Sequence, residues 1–122
     1  MTIAIPVNDN SKNTDICISF GRAPFFMLYD IESGEYDFLE NRAATAQGGA
    51  GIKAAQSIAD SGVGALLSPR LGENAADVLT AAKINLYRTE SGSVQENIKA
   101  FKEGRLQPLN DIHKGFHGNG GR

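Results

Sequence analysis

Two glycine-bearing loops hold the residues best suited to chemistry. In the first, Phe20-Gly21-Arg22 is closed by Ala23-Pro24 and runs directly into the apolar stretch 25–31. A glycine between an aromatic residue and an arginine, with proline behind it, fits a shaped turn that presents a guanidinium. In the second, Gly48-Gly49-Ala50-Gly51 opens a helical pattern whose first turn has no carboxylate and whose nearest charge is Lys53. The first N–H groups of a helix lack partners within it and carry the positive end of the peptide dipoles. The amides of Gly48, Gly49, Ala50 and Gly51, with the guanidinium of Arg22, could therefore hold an anion. A simpler alternative is an exposed helix end capped by water, since glycine is itself an acceptable N-cap.

Metal chemistry has fewer candidates. Cys17 is the single cysteine, which excludes an internal disulfide and any zinc or iron–sulfur centre held by several cysteines of one chain. It stands near the first loop, where its thiolate could meet a cluster. It also reads as a small buried residue at a strand end. Two copies of Cys17 could share a cluster in a homodimer. His113 and His117 have the i, i+4 spacing that aligns two imidazoles on a helix, but Gly115 and Gly118 argue against a helix there.

Catalysis finds little support. Two-metal phosphoryl chemistry needs carboxylates converging near the first and fourth strands. The first strand offers none before Asp9, the fourth ends Leu67-Ser68, and the helix between them presents Lys53. No nucleophile–base pair is evident, so a non-enzymatic role is expected.

The elements that must position these loops follow from periodicity. Ile3, Ile5 and Val7 alternate as in a strand, residues 25–29 are apolar on both faces, and Tyr36 and Phe38 mark a half-exposed edge strand. From Gly51 the period becomes helical, with Ile52, Ala55, Ile58 and Ala59 on one face and Gly62 past the end. Residues 63–67 and 84–87 read as short strands around a helix carrying Ala75, Val78, Leu79 and Ala82. The last helix opens with the capping box Ser93-Val94-Gln95-Glu96 and closes at Gly104. The order β-β-β-α-β-α-β-α predicts an α/β fold with a mixed five-stranded sheet, order 3-2-1-4-5, strand 2 antiparallel. That is the three-layer arrangement of ribonuclease-H-like folds. Loops 8–22, 48–51, 68–74 and 89–93 should then gather where strands one, four and five present their carboxyl ends.

A chain of 122 residues with 41% hydrophobic and 21% charged residues fits one globular domain. Its expected extent is 1–107. Residues 108–122, rich in glycine and lacking an apolar face, read as a mobile tail that leaves from the opposite edge. A net charge of −2 gives no general attraction to nucleic acid or anionic membranes. Neither a secretory signal nor a bilayer-spanning run is visible, so a cytoplasmic protein is expected.

Taken together, Phe20-Gly21-Arg22-Ala23-Pro24-Phe25-Phe26, Gly48-Gly49-Ala50-Gly51-Ile52, the stretch 72–78 and Gly92-Ser93-Val94 resemble the dinitrogenase iron–molybdenum cofactor biosynthesis domain, the family of the NifX and NafY carriers. The similarity extends to about Leu106. It implies a ribonuclease-H-like fold and an accessory or carrier role for an iron–sulfur-type cluster, such as the iron–molybdenum cofactor of nitrogen fixation or its precursor. The implied site is Phe20, Gly21, Arg22 and residues 48–51, and the implied partners are cofactor donor and acceptor proteins. Several members carry histidine where this chain has Ser19, a poor ligand for iron. A metal-free sensor of small anions, or an interaction module, is the competing expectation.

Overall fold

Along the first strand, β1 (Thr2–Val7), Ile3, Ile5 and Val7 face one apolar cluster while Ala4 faces another. Both faces of this strand are buried, which places it in the middle of the sheet. The computed structural model describes residues 1–90, 92–110 and 112–113. β2 (Phe25–Asp30) pairs antiparallel with β1, and β3 (Tyr36–Glu40) pairs antiparallel with β2. β4 (Ala65–Ser68) lies parallel to β1 on its other side. A two-residue strand, β5 (Leu71–Gly72), follows, and β6 (Asn85–Arg88) then adds parallel to β4. The five-stranded sheet has the order β3-β2-β1-β4-β6.

Three helices cover the two faces. α1 (Ala50–Asp60) and α2 (Glu73–Ala81) pack on one side, where their Ile58 and Leu79 join Phe20, Phe26 and Leu66 in one apolar cluster. Their buried faces are rich in alanine, which lets the two helices approach each other closely. α3 (Val94–Lys102) covers the other face, over Ile5, Met27 and Leu67. It is sealed at its start, where Ser93 Oγ accepts from Glu96 N at 3.2 Å. Buried Asn97 accepts from Glu90 N and donates to Ser93 O, each at 2.7 Å. Gly62 and Gly104 follow α1 and α3 with φ of +77° and +72°, the left-handed geometry anticipated for both.

The two sheet edges are protected differently. On β3, Asp37 Oδ1 accepts from Phe38 N at 2.8 Å. Beside β6, the C-terminal chain lies antiparallel: Arg88 N donates to Gln107 O at 2.9 Å and Leu109 N to Leu86 O at 3.0 Å. Leu109 is 5% exposed and belongs to the α1–α2 core. Further on, β7 (Ile112–His113) pairs parallel with β5. Leu106 and Leu109 are both buried, and Gln107 O and Leu109 N are hydrogen-bonded to β6.

Candidate functional site

The site begins with a close approach of two backbones. A Cβ on Gly21 would lie 2.9 Å from Gly51 N and 3.0 Å from Gly51 Cα, distances that a side chain does not tolerate. Glycine at 21 is thus what allows the Phe20 turn to rest on the first turn of α1. Phe20 anchors the turn from below, its ring 5.1 Å from that of Phe26.

Both helices that start here start without a side-chain cap. The N-cap of α1 is Gly49, with φ +69°, and no acidic residue stands in its first turn. Among the described residues, no hydrogen bond joins the N–H groups of Ala50, Gly51 or Ile52 to a protein acceptor; the first closure is Lys53 N to Gly49 O at 3.0 Å. The N-cap of α2 is Gly72, also without a side-chain bond, and Glu73 is the one acid in its first turn. The two openings adjoin, since a Cβ on Gly51 would meet Ala75 Cβ at 3.8 Å. Their positive dipole ends therefore add at one place.

Around them lies a cavity of about 840 Å³, walled by segments 18–22, 47–52 and 70–75. Phe20, Gly21, Arg22, Gly48, Gly49, Ala50 and Gly51 all line it, so the expected pocket residues come together. Ile18, at the mouth, is 66% exposed. Among the described residues the charged lining of the cavity is Arg22, Arg70 and Glu73. The balance is cationic, which favours an anion.

Arg22 has a further task within the protein. Its Nη1 donates to Ala44 O at 2.9 Å and Ala46 O at 2.6 Å, closing the last carbonyls of a 3₁₀ turn at Arg42–Thr45. In the opposite direction, Asn41 Nδ2 donates to Gly21 O at 3.1 Å and Ala23 O at 2.8 Å, while its Oδ1 accepts from Ala43 N at 3.2 Å. The pocket turn and the 3₁₀ turn are stapled reciprocally.

Not every expected loop or ligand arrives. Thr89, Glu90, Gly92 and Ser93 do not line the pocket; Gly92 O accepts from Ile16 N at 3.0 Å and Ser93 bridges Asp15. Among the described residues, three of the four anticipated loops line the pocket. Cys17 does not line it. Its side chain packs partly buried on the α1–α2 core, and Sγ donates to Ser19 O at 3.5 Å. The C-terminal chain, expected at the opposite edge, instead brings the His113 backbone beside Gly72 on the pocket wall. His117 lies outside the described residues. Among the described residues, no group of three or more His, Cys, Asp or Glu side chains could hold a metal ion. What the pocket offers is N–H groups and guanidinium.

Sequence reasoning missed Arg70 and Asn41. Arg70 was readable as the cation just ahead of the second uncapped helix. Asn41 carried the N-cap signal, hidden because the turn it starts spans only Arg42–Thr45 and shows no period.

Fold and pocket together define a small α/β domain with a cavity between two helix starts. The chain belongs to the dinitrogenase iron-molybdenum cofactor family, whose model matches residues 1–104. It is 34% identical to an uncharacterised protein of Methanocaldococcus jannaschii, over 88% of this chain and 90% of that one. Among solved structures, the apo form of the orange protein from Desulfovibrio gigas superposes with a TM-score of 0.85 at 29% identity, covering 90% of this chain and 93% of the other. A Thermotoga protein described as a candidate NifB protein superposes with a TM-score of 0.76 at 41% identity, covering 88% and 91%. Membership associates this chain with clusters of the iron–molybdenum cofactor type. No helix among the described residues is long and apolar enough to cross a membrane.

Proposed function

We propose that this domain, ribonuclease-H-like in architecture, is a non-enzymatic carrier for an anionic metal–sulfur cluster of the iron–molybdenum cofactor type or its precursor. The observation that supports this reading is the meeting of two uncapped helix starts and two arginines around one cavity of about 840 Å³. That volume falls within the roughly 300–1,000 Å³ usual for small-ligand sites. A cluster rich in sulfide presents acceptors over its whole surface. The free amides of Ala50, Gly51 and Ile52 supply donors, and Arg70, on the pocket wall, supplies charge. Cargo held at its periphery, with no side chain bonded to metal, can be handed on without breaking a metal–ligand bond.

The test is anaerobic incubation of the metal-free protein with isolated iron–molybdenum cofactor, and separately with iron, sulfide and molybdate, followed by desalting. Iron and cluster absorbance should elute with the protein. A protein fraction free of both would overturn the carrier reading.

A second reading rests on the same donor set. Amides and guanidinium serve a metal-free oxyanion equally well, so the domain could act as a small-anion sensor. In that case phosphate should raise the melting temperature in proportion to the logarithm of its concentration, while no metal is retained.

A further inference from the structure

We infer that Asn41, which does not line the pocket, and Arg22, which does, are positioning residues: together they set how the first amides of α1 face the cargo. The inference rests on the anion-site reading for its binding arm only. Its structural arm stands without any ligand.

The geometry leaves little slack. Gly21 sits against the Gly51 amide so closely that a single added carbon would collide with it. The depth and tilt of the Phe20 turn over α1 are consequently coupled to the amides of Ala50, Gly51 and Ile52. The side chain that fixes this turn from behind is Asn41. It is 6% exposed, and its Nδ2 holds the carbonyls on either side of Arg22. One buried and one partly buried carbonyl that lose their shared donor must find another or move.

Arg22 completes the staple from the opposite side. Its Nη1 gathers Ala44 O and Ala46 O immediately before Gln47, Gly48 and Gly49, the residues that lead into α1. A guanidinium committed to two carbonyls acts on the cargo through the path of the chain. A charge contact and a positional contact can be separated, because salt screens only the former.

Asn41→Ser keeps an oxygen to cap the 3₁₀ turn but removes both donations from Nδ2. Arg22→Gln removes the paired donation at an exposed position and guards against Asn41→Ser failing to fold. Backbone-amide NMR on the full chain without ligand provides the first readout. Both variants should shift the resonances of Gly49, Ala50, Gly51 and Ile52 and speed their hydrogen exchange, with the amides of β1 and β4 unchanged. Molybdate titration provides the second readout. Both variants should bind about tenfold more weakly than wild type, and that ratio should persist when salt is raised from about 0.05 M to about 0.5 M.

Unchanged amides at 49–52 in both variants would overturn the inference whether or not any anion binds. An Arg22→Gln deficit that disappears at high salt would make Arg22 a direct charge contact and overturn its positioning role. Wild-type protein that ignores molybdate, while both variants still disturb 49–52, would support the staple and count against the anion site alone.

Discussion

Three helices start from the same edge of the sheet, and the protein treats their first turns in two ways. α3 is closed by Ser93 and by buried Asn97, with Glu96 in its first turn. α1 and α2 begin on glycine, have no side-chain cap and open side by side into one cavity. Helix ends left open at a protein surface are ordinary. Two of them adjoining each other, when a third carries a side-chain cap, mark where the molecule keeps donors for something other than itself.

The strongest way to break this contrast is at the contact that builds the open end. Gly21→Ala places a carbon within 3 Å of the Gly51 backbone, so one turn must shift. A loss of roughly 1–3 kcal/mol in urea unfolding is expected, together with loss of cluster retention. Wild-type stability with wild-type retention would show that the close approach has no role.

The capped end gives the reverse test. Ser93→Ala removes the side-chain acceptor for Glu96 N and should cost about 1 kcal/mol of stability, with cluster or anion binding unaltered. Weakened binding in that variant would erase the distinction between the two kinds of helix start.

A smaller effect lies far from both, at the turn between β2 and β3. Hydrogen bonds from the backbone N–H groups of Glu32 and then Ser33 hold the Asp30 carboxyl below its usual range. The folded state therefore gains from this group above the unfolded value of 3.8 and loses that gain as pH falls through the lower folded value. Acid unfolding of Asp30→Asn should begin from a lower stability near neutrality and show a shallower decline below about pH 4. Cluster retention measured near neutrality should be unchanged.

How much of this was readable in the chain differs by element. Alternation at Ile3, Ile5 and Val7, and the Ser93–Glu96 box, announced a strand and a capped helix because local spacing determines both. The pocket loops were legible as well, since glycines and an absent carboxylate are properties of sequence. The partners of Arg22 were not. They are backbone carbonyls of Ala44 and Ala46, in a short turn with no apolar repeat to signal it. The C-terminal strand was obscured for a related reason. Leu106, Leu109 and Ile112 recur every three residues around Pro108, a spacing that belongs to neither regular helix nor alternating strand. What holds that segment is β6 and β5, elements distant in sequence.

The central claim is that cargo sits on the open starts of α1 and α2. Backbone-amide spectra of the protein before and after anaerobic loading with the iron–molybdenum cofactor test it most directly. The amides of Ala50, Gly51, Ile52, Asn74 and Ala75 should shift or broaden while those of Glu96 and Asn97 stay in place. Changes centred on α3, or on Cys17 with the α1 and α2 amides undisturbed, would contradict it.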